Sequence, residues 1–166
     1  MIPMKDLEPL TLEKIPEIWE AYKEENWNIP QDPGPREKWI ERLYQSPVYH
    51  FSVPYEKQED DIRLGVTITF DNLVAPFVID LVENSNTKRL DELFDWFEEL
   101  ANDENTEIRT SILGVTICES FVSNAEHFAE LFPFVKKRPF LFAEIRNASK
   151  RLRLSEELKT LLQSAS

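Results

Sequence analysis

One stretch constrains the fold of this chain more than any other. From Asn86 to Ser120 it reads NTKRLDELFDWFEELANDENTEIRTSILGVTICES, an amphipathic run, an acidic break and then an almost wholly apolar run. In the first half Leu90, Leu93, Phe94, Phe97 and Leu100 recur at intervals of three and four, the spacing of one helical face. Ser85 or Asn86 can cap that helix by accepting a first-turn N–H. The second half decides the fold class. As a helix it starts at Thr106, a capping residue, with Glu107 in the first turn near the positive end of the helix dipole. Ile108, Ile112, Val115 and Val122 then share one face, with Leu113, Ile117 and Phe121 beside it. Dense Ile, Thr and Val and the weak helix former Gly114 favour a strand, RTSILGVTI. The run lasts about 17 residues before VSNAE, long for one strand, so a helix buried on most sides is favoured.

The rest of the chain is mostly helical in pattern. Leu12, Ile15, Ile18, Trp19 and Tyr22 keep helical spacing, with Pro16 tolerable only near the helix start. NIPQDPGP is a break, after which Pro35 suits the first position of a helix buried through Trp39, Ile40, Leu43 and Tyr44. SPVYHFSVP reads as an extended connection or strand. In residues 55–84, Val66, Ile68 and Phe70 alternate like a strand, yet Ile62, Val66, Phe70, Leu73, Phe77 and Leu81 keep helical spacing. From Leu73 onward a helix capped by Asp71 or Asn72 is expected, against the objection of Pro76. SNAE from Ser123 has capping-box form, with Ser123 as cap and Glu126 three residues on. FLFAEIRNASKRLRL and SEELKTLLQ, the latter capped by Ser155, complete the helices.

At 166 residues with 42% hydrophobic and 11% aromatic content, the chain can bury a core without staples, as a single domain over 1–166. Cys118 is its one cysteine, so neither an intrachain disulfide nor a cysteine zinc cluster can form. An N-terminus rich in acids and prolines, and the lack of a long apolar run, predict a cytoplasmic protein without a membrane partner. Charge is uneven: residues 1–110 carry a net of −14 and 111–166 a net of +2. Such a field repels nucleic-acid phosphates and draws in basic partners, although acidic composition also serves solubility alone. The basic residues Lys150, Arg151 and Arg153 are placed to close against the acidic first part of the chain.

Read as two helices, LDELFDWFEELANDENTEIRTSILGVTICESF resembles a HEAT-like repeat, with its acidic turn and the E-[IV]-R at the head of the second helix: Asp103, Glu107, Ile108 and Arg109. With its size and charge, the chain resembles the small acidic immunity proteins that accompany bacterial contact-dependent and other polymorphic toxins. That resemblance implies an inhibitor of a basic toxin, such as a nuclease. Read with RTSILGVTI as a strand, the element order instead resembles the GNAT acetyltransferases, and NAEHFAELFPF is similar to that family's late Asn-containing helix. That family holds the coenzyme A pyrophosphate on a glycine-rich turn. Here the position reads ENSNTKRL, without glycine, with Lys88 and Arg89 to attract a phosphate and Glu83 to oppose it.

Other chemistry finds little support. His50 and His127 lack metal-spaced partners, and His127 sits among helical core positions, where packing or capping is expected. Cys118 lacks a neighbouring base, and no Walker, GxSxG or HExxH string occurs. Paired acids such as Asp60/Asp61 and Glu98/Glu99 read as solvated charge, and Trp27 and Tyr55 as interface anchors or loop packing. The expectation is therefore a mostly α, single-domain helical bundle with a HEAT-like hairpin. A short β element near 48–70 stays open, as does helix against strand at 55–70 and 109–117. The expected function is non-enzymatic binding of a basic toxin without cofactor or metal, with an acetyltransferase as the alternative. The candidate contacts are Glu59, Asp60 and Asp61, and Asp103, Glu104 and Glu107 around the hairpin turn.

Overall fold

A computed structural model describes residues 1–47 and 61–164. The described residues contain helices and no strand. They fall into two compact units, Ile2–Thr69 and Phe70–Ser166 with Met1. The extended or strand expectation for SPVYHFSVP and the head of the 55–84 run, like Tyr55, Glu59 and Asp60, lies outside the described residues.

In Ile2–Thr69, α1 (Met4–Lys14) packs against α3 (Arg36–Gln45). Pro16 does not sit near the start of one helix carrying Leu12 to Tyr22, as its spacing suggested. Instead α1 stops before it, a 3₁₀ turn covers Pro16–Ile18, and α2 (Trp19–Glu25) follows. The proline offers no N–H to continue α1 but fits the first position of a new turn. Leu7, Leu12, Ile15, Tyr22 and Leu43 are all fully buried. Beyond Arg63, Gly65 turns the chain with φ +105°, a conformation open to glycine, and α4 (Val66–Ile68) begins. The alternating Val66, Ile68 and Phe70 are thus helical rather than strand.

In Phe70–Ser166, a turn of π register covers Thr69–Val74 and α5 runs Ala75–Glu83. No cap forms at Asp71 or Asn72, because the backbone there is already helical. The wider turn lies just before Pro76, where an α turn would press the proline ring on the carbonyl four residues back. α6 (Thr87–Ala101) is capped by Asn86, whose side chain accepts from Arg89 N at 3.2 Å, while Ser85 takes a φ of +53°. After the elbow, Ile108–Cys118 winds in π register and passes into α7 (Glu119–Val122). Residues 109–117 are therefore helix, and the strand alternative is corrected.

The π register also corrects the expected face. A turn closed five residues back brings side chains four or five apart over one another. The buried apolar side chains at that spacing are Ile108, Ile112 and Leu113, Ile117, then Phe121 and Val122; Gly114, Thr116 and Cys118 beside them are buried as well, so the helix is covered on most sides, while Val115 is 48% exposed. An α spacing would have buried Val115. Thr116 donates its hydroxyl to Ile112 O.

α6 packs on this helix, on α5, on α8 (Ala125–Lys136) and on α9 (Pro139–Arg151), while α10 (Glu156–Ser164) lies on α8. Phe94 stacks on Phe121 with ring centres 5.8 Å apart and meets Phe97 edge-on at 5.5 Å. The cap of α8 is Asn124, which accepts from His127 N, and not Ser123, which donates to Ser120 O. In the last turn of α9, Arg151 Nε donates to Glu119 at 2.7 Å. No described helix is long and apolar enough to cross a membrane.

Candidate interaction surface

α6 wears its charges against its own dipole. Lys88 and Arg89 stand in its first turn, where an anion is favoured, and Glu98 and Glu99 near its last, where a cation is. Each such placement on an exposed helix costs about 0.3–1 kcal/mol unless another group compensates it. Two of the four are compensated. Arg89 pairs with Glu92 at 3.3 Å, and Glu98 accepts from Phe140 N at 3.0 Å and Leu141 N at 2.7 Å, at the start of α9. Glu99 is exposed and pairs with nothing among the described residues.

The flank of α6 that faces α9 is neutralised. Arg138, 5% exposed, donates to Asp95 Oδ1 at 2.6 Å, to Asp91 Oδ1 and to Phe134 O, and Lys137 reaches Asp91 at 2.7 Å. These hydrogen bonds from Lys137 and Arg138 hold the Asp91 carboxyl below the ordinary range.

The elbow after α6 is built from side-chain turns. Asp103 Oδ1 accepts from Asn105 N at 2.8 Å, and Asn105 Oδ1 accepts from Glu107 N at 3.1 Å. Asn105 is thus the residue that caps the second helix. Thr106, expected in that role, accepts instead from the Arg109 guanidinium at 3.3 Å. Asp103 and Asn105 shape the turn, whereas Glu104 and Glu107 are exposed, and their carboxylates have no partner among the described residues.

Of the six expected contacts, the structure brings Asp103, Glu104 and Glu107 together around one turn. Asp61 belongs to the other unit, where its carboxylate accepts from Arg63 N at 3.1 Å. Glu99, read from the sequence with Glu98 as solvated charge, is not among those six. Its signal is legible in hindsight: an acid in the last turn of a helix that has no base there.

Sequence reasoning overlooked a polar cluster inside Ile2–Thr69. Glu8, fully buried, accepts from Gly65 N at 2.8 Å and from Tyr22 Oη at 3.3 Å, with Arg63 Nη1 3.6 Å from its other oxygen. That last separation is an ion pair rather than a hydrogen bond, and Glu8 Oε2 and Arg63 Nε have no hydrogen-bond partner among the described residues. Asn26 donates to Ile62 O at 2.9 Å, and Trp39 Nε1 to Tyr22 Oη at 3.4 Å. Burial raises the Glu8 carboxyl, against the opposing pull of Gly65 N–H and Arg63, and burial together with the Glu8 charge raises the Tyr22 phenol. Glu8 and Tyr22 are closed off from solvent, so their chemistry is that of a tie between α1, α2 and the 62–69 segment. A Glu between Leu7 and Pro9 gave no periodic signal, because its partners lie up to 61 residues away.

His127 lies between Asn124, 2.7 Å from its Nδ1, and Glu83, 3.4 Å from its Nε2. Cys118 is fully buried, and burial, with Glu144 nearby, raises its thiol. Among the described residues no group of three or more His, Cys, Asp and Glu is arranged to hold a metal ion. Comparison of the chain with protein-family models, with curated proteins and with solved structures finds no match.

Proposed function

We propose that this chain is a non-enzymatic binding protein that neutralises a basic protein partner by direct contact, acting in the cytoplasm as an immunity protein against a cognate toxin. The observation that supports this is the acidic elbow. Glu99, Glu104 and Glu107 are exposed carboxylates without partners among the described residues, and Glu99 is held where the helix dipole disfavours it. A charge kept at the expense of stability is explained by a use outside the fold. Carboxylates on a helix–turn–helix elbow can pair with the Lys and Arg that a nuclease uses to hold phosphates, and a net charge of −12 speeds the encounter.

The test is co-expression with a toxic product encoded beside the gene for this chain, followed by association kinetics with an inactive form of that product at low and high salt. Growth should be protected. Glu104→Lys with Glu107→Lys should slow association about tenfold and flatten its salt dependence. Absence of protection overturns the immunity role, and unchanged kinetics in the variant remove the elbow as the contact.

A further inference from the structure

Trp27 is 95% exposed, whereas Trp39 is 1% and Trp96 4% exposed. A single apolar side chain in water is ordinary, but the backbone on both sides of this one is tied down. Asn26, 2% exposed, donates its side-chain amide to Ile62 O at 2.9 Å and its N–H to Tyr22 O at 3.0 Å. Its Oδ1 accepts from Asn28 N at 3.0 Å and its carbonyl from Ile29 N at 3.2 Å. Asn28 donates to Arg63 O at 3.3 Å. Both neighbours of Trp27 are therefore anchored to the 62–63 segment, while the indole itself meets no ring or hydrogen-bond partner among the described residues. An aromatic group presented on a backbone already ordered binds without the entropy cost of ordering a loop. Tryptophan is also among the residues that most often carry the energy of an interface.

The surrounding charge states the kind of partner. Glu24 and Glu25, three and two residues before Trp27, are exposed in the last turn of α2 and have no partner among the described residues. The negative end of that helix adds to their field. Lys23, the base of that turn, is held by Glu20 at 2.9 Å. A cation laid on the indole face would gain the ring quadrupole, with Glu24 and Glu25, three and two residues away in the chain, to attract it, and a planar guanidinium can stack as well as pair.

We infer that Trp27, with Glu24 and Glu25, is a docking anchor for an arginine or lysine side chain on a basic protein segment. It lies in Ile2–Thr69, stands on residues other than the elbow, and does not depend on the toxin reading.

The test uses the full chain and a hexa-arginine peptide, with the uncharged hexa-citrulline peptide as its counterpart, read by tryptophan emission and calorimetry. Wild type should bind hexa-arginine saturably, with a change in indole emission, and should ignore hexa-citrulline. Trp27→Ala should weaken binding about tenfold, and Trp27→Phe, which keeps a π face, by less. Glu24→Gln with Glu25→Gln should weaken binding and lower its salt dependence. Glu104→Lys with Glu107→Lys should leave the emission change in place, so failure of the elbow is distinguishable from failure of the anchor. Equal binding by Trp27→Ala and wild type, or no saturable binding, overturns the inference. Because the side chain is exposed, an unchanged thermal melt of Trp27→Ala should confirm that the variant is folded.

Discussion

Glu98 Oε2 accepts the backbone N–H of Leu141 at 2.7 Å, so a residue of α6 closes the first turn of a helix 43 positions further along the chain. The residue at the N-cap of α9, Arg138, makes no side-chain cap, and Pro139 follows it. Glu98→Ala should therefore cost about 1 kcal/mol, the usual worth of an N-cap, in a urea melt. Glu98→Gln should cost less, since it keeps an acceptor but loses the charge at the helix N-terminus. A melt of Glu98→Ala that overlays wild type would remove the capping role.

Gly114 sits where the π-register helix comes close to α9. A Cβ there would lie 3.2 Å from Arg109 O and 3.5 Å from the Arg151 guanidinium. Alanine elsewhere in a helix gains about 1 kcal/mol over glycine. Gly114→Ala should fall short of that gain because the Arg109 carbonyl must give way, and Gly114→Leu should lose about 1–3 kcal/mol by overpacking. Calorimetric melting of both variants checks the order, and a Gly114→Leu protein as stable as wild type would contradict the close approach.

The buried Glu8 carboxyl titrates with a sign opposite to the usual carboxylate. Its folded pKa lies above its unfolded one, so the folded state holds the proton more tightly. The stability it contributes is complete below the ordinary carboxylate range and is lost as pH rises through the raised folded value. Wild type should therefore lose stability relative to Glu8→Gln as pH rises from the ordinary carboxylate range toward neutrality. Urea unfolding of both proteins across that range reads the difference, and parallel profiles, or a difference of the opposite sign, would sink the assignment.

Cys118 is fully buried with a raised thiol pKa. A thiol reagent should leave it untouched in native protein at neutral pH and modify it at the rate of unfolding or in denaturant. Prompt stoichiometric labelling of the native chain would show that the site opens.

Several features were legible in the sequence because they rest on neighbours a few residues apart. The stripe from Leu90 to Leu100, a cap at Ser85 or Asn86, α3 from Arg36 and the break at NIPQDPGP all follow from local periodicity and turn chemistry, and the structure chose Asn86. The helical nature of the run after NDEN was legible from its length, and the acidic break itself puts Glu104 and Glu107 at its elbow. The face of that helix was not. Val115 and Ile117 differ in exposure because the turn closes five residues back rather than four, and α periodicity cannot reveal which closure will hold.

What the sequence determined by itself was a mostly helical chain, strongly acidic in its first two-thirds, with an acidic elbow between two helices. Tertiary structure alone decided which charges are occupied. Glu98, Asp91 and Asp95 serve α9 and Arg138, and Glu8 is drawn inside by Gly65 and Arg63, while Glu99, Glu104 and Glu107 are left to solvent. The physical reason is that a carboxylate's role depends on donors brought within hydrogen-bond reach from 40 to 60 residues away, and that distance carries no periodic signal along the chain.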